Sequence, residues 1–250
     1  MSVFARSVAR MIAMTVTDLR QYTLHPGRRD DLLRVFEDHF VEGQEATGMH
    51  IAGHFRDLDD PDRFVWLRGF ADLDARRKAL EDFYYGPVWR AHSAEANATM
   101  VDSDNALLLS PLTVRPGYPE PSAPRPPVGA TEIPPSVVIA SVYHRRTMDD
   151  GLPELFAGEI EPVLRDTGAE PVVVFESLVA ENNFPPLPLR DELVLAWFAV
   201  LPDDTSYDAH RCALARSEAW HDKLLPELAR RSLTPPQHLH LRPAPRSHLR

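Results

Sequence analysis

The chain has 250 residues, 44% of them hydrophobic, and a formal net charge of −10 at pH 7, which is enough apolar material for one large domain or two smaller ones of about 110–120 residues. An acidic chain whose two lysines, Lys78 and Lys223, stand alone lacks the clustered cations that a nucleic acid demands. No apolar run approaches the ~20 residues needed to cross a bilayer, so neither a nucleic-acid partner nor a membrane span is expected.

Residues 1–13 hold Arg6 and Arg10 among small and apolar residues without an acid. This composition suits a transit peptide, or a disordered stretch ahead of a natural start at Met14. Residues 1–15 are therefore expected to be a disordered extension. Residues 17–24 read as a strand, closed by the turn signal His25-Pro26-Gly27. A helix follows, with Leu32, Leu33, Phe36 and Phe40 as its apolar stripe and Asp30 and Asp31 in the first turn, where the helix dipole favours acids. It ends near Gly48. Residues 49–55 form a second strand, whose two-residue period puts Met49, Ile51 and Phe55 on one face and His50, Ala52 and His54 on the other. Residues 63–70 form a third, in which Trp66 and Arg68 share a face. A helix from Asp72 carries Leu73, Ala79, Leu80 and Phe83, is interrupted at Gly86-Pro87, and resumes through Trp89. Residues 105–110 close this half as a strand, giving the order β-α-β-β-α-β.

Nine of the twenty-five residues in 111–135 are proline, which neither donates ladder bonds nor sits inside a helix, so this reads as a linker. The order then recurs: strand 137–144, helix 152–166, strands 171–178 and 192–201, a helix through Tyr207, Leu214 and Trp220, and strand 238–242. Landmarks pair between the halves: Tyr22 with Tyr143, Phe36 with Phe156, Gly48 with Gly168, Trp66 with Trp197, Trp89 with Trp220. Each half separates its two tryptophans by 23 residues. The second half inserts a proline-rich stretch near 182–190, a loop position where insertions are tolerated. The lone Cys212 excludes an intrachain disulfide and a thiolate metal site, and fits a reducing, cytoplasmic location.

A split βαβ unit leaves one face of its sheet bare and apolar, and a second copy can cover it. The expected fold is α+β: two tandem ferredoxin-like (βαββαβ) repeats, 16–112 and 136–244, packed sheet to sheet as one barrel with the helices outside. Residues 113–135 link them and 245–250 form a tail. Such a chain is a monomer with an internal pseudo-dimer, or a homo-oligomer.

The run Asp18-Leu19-Arg20-Gln21-Tyr22-Thr23-Leu24-His25-Pro26-Gly27, the strand after Gly48, the segment 70–77 and the corner Pro87-Val88-Trp89 together resemble the NIPSNAP family of dimeric α/β-barrel proteins. The resemblance covers 16–112 well. Residues 136–244 are a weaker copy that lacks the Leu-Arg-x-Tyr-Thr pattern and the Pro-Gly turn. It implies a fold more than an activity, since the family has no agreed catalytic residues. The wider barrel superfamily includes cofactor-free oxygenases acting on quinols, haem-binding enzymes and small lactone isomerases.

Among the residues themselves, Tyr22, Trp66 and Arg68 suggest an aromatic-lined cavity in which a fixed guanidinium steadies the anion of a planar phenol or quinol. His50 or His54 would be the general base. Tyr84 and Tyr85 read as a gate and Trp89 as a further wall, although Trp66 and Trp89 equally read as core. Aligning the halves sets Ala199 opposite Arg68, Glu170 opposite His50 and Val174 opposite His54, which places the site in 16–112. The partner expected is a small hydrophobic or aromatic, or polyketide-like, molecule, handled without a cofactor by an oxygenase- or isomerase-type enzyme. An alternative is a non-catalytic barrel that binds a small molecule, haem or a protein. His50 and His54 stand about 13 Å apart at 3.3 Å per residue, so a metal or haem would need His238 and His240 as well. No glycine-rich phosphate loop or nucleophile elbow occurs.

Overall fold

The computed structural model describes residues 11–112, 118–120 and 123–250. Most of the expected extension, residues 1–10, and parts of the expected linker, 113–117 and 121–122, lie outside them. The eight barrel strands are β1 (Val16–Leu24), β2 (His50–Asp57), β3 (Arg63–Phe70), β4 (Met100–Pro111), β5 (Val137–His144), β6 (Pro171–Ser177), β7 (Val194–Leu201) and β8 (Gln237–Pro243). They close antiparallel in the order β8-β2-β3-β1-β4-β6-β7-β5, with β5 returning to β8. The first four strands of the chain run β2-β3-β1-β4, and the last four repeat that order as β6-β7-β5-β8. The seams are short: Leu109 pairs Ser177 where β4 meets β6, and Leu241 pairs Asp57 where β8 meets β2.

Helix α1 joins Arg29–Val35, a π-helical turn at Phe36–Phe40 and Val41–Glu45; α2 is Leu73–Tyr84 and α3 is Pro87–Asn97. In the second half α4 joins Leu152–Leu155, a π turn at Phe156–Ile160 and Glu161–Asp166, α5 is Asp204–Leu214, and α6 joins Ala219–Leu224 to Leu225–Arg231. Local chemistry repeats with the topology. Asp72 and Asp203 cap α2 and α5, each accepting an N–H at 2.7 Å, a stabilising satisfaction of an orphan donor. Gly48 and Gly168 follow α1 and α4 at φ of 94° and 97°, where a side chain would be strained.

Three apolar clusters result. Leu19, Phe55, Val65, Leu67, Leu107, Phe175 and Phe198 fill the barrel. The outer face of β1–β4 packs under α1–α3 through Tyr22, Phe36, Phe64, Trp66 and Phe83, and the outer face of β5–β8 packs under α4–α6 through Tyr143, Phe156, Trp197 and Trp220. The flanking segments are held too. Met11–Ile12 pair with Tyr118–Pro119, and Tyr118 is buried with its hydroxyl 3.0 Å from Thr17 Oγ1. The segment expected as a tail runs back along β2, Ala244 N donating to His54 O and Leu249 N to Ala52 O.

One irregularity changes the faces. The β2–β3 register jumps from Ile51↔Arg68 to Gly53↔Leu67, so Ala52 is an extra residue. A bulge of this kind breaks the two-residue alternation. Met49 and Ile51 therefore face the helices while Phe55 faces the barrel, and His50 and His54 do not share a face as expected. A methyl added at Gly53 would strike the Phe55 ring, which is wholly buried. Gly53→Ala is expected to lower stability by about 1–3 kcal/mol, the usual cost of overpacking. A thermal midpoint equal to wild type would mean that the ring has room to move.

Candidate functional site in the first helix–sheet layer

Alternation along β1 sends Asp18, Arg20 and Tyr22 to the helix side, and β3 sends Trp66 and Arg68 there beside them, with Asp18 paired to Arg68 and Arg20 to Trp66. Between this surface and α1–α3 lies a cavity of about 340 Å³ lined by all five residues expected to bind substrate: Tyr22, Trp66, Tyr84, Tyr85 and Trp89. Phe36, Phe40 and Phe83 add aromatic wall, and Gln44, Asn97 and Ser103 are its polar points. Phe36 lies 5.1 Å and Tyr22 6.0 Å from Trp66, both edge to face, an arrangement favoured by the ring quadrupoles. The π turn in α1 places Phe36 and Phe40 on the same wall. Tyr85 is 61% exposed, consistent with the mouth.

The second half supplies the cover. Its insertion brings Phe184, Pro186 and Leu187 into the lining, with the Phe184 ring 5.8 Å from Tyr84 and 5.9 Å from Tyr85. Asn183 fastens it, donating to Leu73 O at 2.6 Å and accepting from Arg76 Nη1 at 2.8 Å.

Arg68 is fixed, as the sequence suggests, but it is held behind the wall and does not itself line the cavity. Its Nε and Nη2 donate to Asp18 Oδ2 at 2.9 and 2.8 Å, and its Nη1 reaches Gln44 Oε1 at 3.2 Å and the Tyr84 hydroxyl at 3.4 Å. The guanidinium sits 4.9 Å from the Trp66 ring centroid, so Arg68 touches the cavity only through residues that line it. Arg76 Nε donates to Asp18 Oδ1 at 2.9 Å. Arg20 Nε donates to the Tyr22 hydroxyl and its Nη2 to Ser103 O, both at 3.0 Å. All four charged residues are fully buried, so three guanidiniums face one carboxylate. Burial would raise Asp18, but Arg68, Arg76 and Arg20 outweigh it and hold its carboxyl at about 2. Burial pushes the Tyr22 phenol up despite Arg20. Two buried donors, Trp66 Nε1 and Arg20 Nη1, have no partner. Asp18, Arg20, Gln44 and Arg76 were not singled out from sequence; the one available signal was the charged alternation Asp18-x-Arg20-x-Tyr22 in a strand that should be buried.

The expected histidines lie elsewhere. His54 shares an edge of the layer, its ring 5.2 Å from Phe36 and its Nε2 3.0 Å from Glu37 Oε1, but it does not line the cavity. Burial lowers its pKa. His50, on the other face because of the bulge, lies 5.6 Å from Tyr118, and burial and Arg125 lower it to about 4. The set His50, His54, His238 and His240 does not converge: His238 Nδ1 meets Ser141 Oγ at 2.8 Å, and His240 stacks on Tyr207 at 4.1 Å. Both line a second cavity of about 260 Å³ under α5, with Tyr143, Trp197, His210 and Trp220. In it the Trp197 indole donates to the Tyr143 hydroxyl at 3.3 Å.

The chain is thus a closed α/β barrel with a helix–sheet cavity in each half. Residues 17–115 match the NIPSNAP family, as the resemblance implied. No curated protein matches. Among solved structures, a putative monooxygenase from Fusobacterium nucleatum subsp. nucleatum is 12% identical at a TM-score of 0.57, covering 94% of each chain. A putative monooxygenase from Lactobacillus acidophilus is 10% identical at 0.53, covering 91% of this chain and 93% of that one. An anthrone oxidase-like protein is 12% identical at 0.59, again with 94% of each chain covered. At such identities the likeness is one of fold. No helix among the described residues is long and apolar enough to cross a membrane.

Asp18 is the counter-charge for three buried cations, so Asp18→Asn is expected to cost about 3–5 kcal/mol at neutral pH, the range for breaking a buried pair. Its carboxyl is depressed from 3.8 to about 2, so its contribution is complete above pH 3.8 and is lost as pH falls through about 2. Chemical denaturation of both proteins across that window reads it: the gap between them should close on acidification, and a gap independent of pH would refute the charge account.

Proposed function

We propose that this protein is a cofactor-free, oxygenase-type enzyme acting on a planar phenolic or quinol-like small molecule in the first cavity. The observation that carries the reading is the aromatic cavity set against surplus buried positive charge, with Trp66 Nε1 and Arg20 Nη1 unpartnered beside it. A flat ring fits between such walls, and an oxyanion on that ring supplies the acceptor the Trp66 indole lacks, with the Arg20 charge behind it. The fold shared with proteins named as monooxygenases and as anthrone oxidase-like supports the choice. In the reaction the bound hydroxyaromatic loses a proton to water at the mouth, and its anion gives electrons to O₂. A ring CH₂ becomes C=O and the second oxygen atom leaves as water carrying the two hydrogens, so the four electrons that O₂ takes up all come from the substrate.

In this reading each half is a ferredoxin-like repeat, 16–112 and 136–244, joined by 113–135, and the pair imitates within one chain the two subunits of a dimeric barrel. The identical strand orders support it. A monomer is then sufficient, and the single exposed Cys212 suits a reducing cytoplasm.

A second reading, a non-catalytic binder, is favoured by one fact: the wall contains no histidine, carboxylate, lysine or cysteine. Oxygen uptake with 1,8-dihydroxyanthrone as the probe separates the two. The enzyme consumes one O₂ per anthraquinone formed. Trp66→Phe, which keeps a ring and deletes the N–H, should lower kcat/KM about tenfold, the worth of one hydrogen bond to a charged acceptor. Saturable quenching of tryptophan fluorescence without oxygen uptake selects the binder, and neither signal rejects the cavity as the site.

A further inference from the structure

The C-terminal segment returns along β2, and this path sets His248 beside His50 with ring centroids 5.1 Å apart. Glu45, in the last turn of α1, completes the group. One ligand atom from each of Glu45, His50 and His248 lies within 4.8 Å of the others, and among the described residues no other set of three His, Cys, Asp or Glu side chains meets this geometry. His50 Nε2 and His248 Nδ1 are buried without a hydrogen-bond partner, an uncommon state for nitrogen that carries either a proton or a lone pair. Arg125 Nη2 donates to Glu45 Oε1 at 2.6 Å and Ile51 N to the same oxygen at 3.3 Å. Both bonds fall on Oε1, so the carboxylate is oriented while Oε2 is left for another partner.

We infer that Glu45, His50 and His248 form a binding site for a divalent transition-metal ion. Two imidazole nitrogens with one carboxylate oxygen suit zinc or ferrous iron better than calcium or magnesium, which prefer oxygen alone. Ligands about 2.1 Å from a tetrahedral zinc stand about 3.4 Å from one another, so the side chains need only close in slightly, and water fills the remaining position. Charges of both signs surround the corner: Arg125 pairs with Glu45 and Arg246 with Glu42, Glu37 accepts from the Arg246 backbone N–H, and Arg250 acts on His248. Arg125 takes the supporting role of holding a ligating carboxylate. The three ligands come from α1, β2 and the C-terminal segment, so the ion pins that segment to the barrel. It also fixes the turn of α1 whose neighbouring Gln44 lines the aromatic cavity.

The test uses the full chain, stripped with a chelator and titrated with Co²⁺, whose visible absorption reports nitrogen and oxygen coordination, then with Zn²⁺ as competitor. One saturable Co²⁺ per chain is expected, displaced by Zn²⁺, with a rise in thermal midpoint that grows with free metal. His248→Ala, near the chain end, and Glu45→Gln should each weaken binding by more than about tenfold, the loss already typical of groups that merely support a ligand. His238→Ala should leave it unchanged. Absence of a saturable spectrum, equal affinity in His248→Ala and Glu45→Gln, or a loss in His238→Ala would each overturn the site. Far-ultraviolet dichroism of each variant shows that it is folded.

Discussion

One buried carboxylate organises the first half. Asp18 draws Arg68 from the neighbouring strand and Arg76 from α2, and Arg76 in turn holds Asn183 of the loop that covers the cavity. Taking these ions out of water costs several kcal/mol each, repaid only when every donor finds an acceptor in good geometry. Arg68 and Arg76 meet that condition. Arg20 does not quite, because one of its nitrogens is left over. The cluster therefore fixes where α2 and the covering loop sit on the sheet, and it stores unspent positive charge and an unspent donor behind the aromatic wall.

The second half shows what the layer looks like without that carboxylate. Counting from the paired tyrosines and tryptophans, Ile139 stands where Asp18 does, Ser141 where Arg20 does, and Ala199 where Arg68 does. Freed of the arginine network, the Tyr143 hydroxyl accepts from the Trp197 indole. Its counterpart Tyr22 is engaged by Arg20 instead, and the Trp66 indole is left without an acceptor. The aromatic frame is common to both halves, while the buried Asp18–arginine network and the covering loop belong to the first cavity and the second is lined instead by His210, His238, His240, Asp59 and Arg211.

Much of the frame was legible in the sequence. Strands 63–70 and 137–144 have the boundaries read from hydrophobic periodicity, and the equal spacing of the tryptophans announced the matching halves. The five aromatic residues expected in the cavity line it because they follow the simplest rule, alternation on strands and stripes on helices. The failures share one cause: contacts made far along the chain. The bulge at Ala52 is set by pairing with β3, and it moves His50 and His54 to opposite faces. Arg68 looked available because its partner lies fifty residues away. The insertion read as a tolerated loop, yet it serves the cavity of the other half. The C-terminal run looked like a basic tail, but Arg246 and Ser247 are buried against α1 and β2.

Tyr22 sets the terms for any ligand of the first cavity. It is a phenol fully buried in the same field, with Arg20 bonded to its hydroxyl, and its pKa is nevertheless raised because desolvation outweighs the guanidinium. Nearby positive charge alone therefore does not ionise an ordinary phenol there at neutral pH. A ligand differs from Tyr22 in two respects. It can take the hydrogen bond that the Trp66 indole, on the cavity wall, has to give, worth about 1.5–3 kcal/mol to an anion, equivalent to roughly one to two pKa units. It can also be a stronger acid than tyrosine, as extended conjugation makes a hydroxyanthrone. With no base on the wall, the proton must leave on the strength of these two terms. For the proposed phenolic substrate, these two terms favour a flat, conjugated and already acidic ring over a simple phenol of the same size.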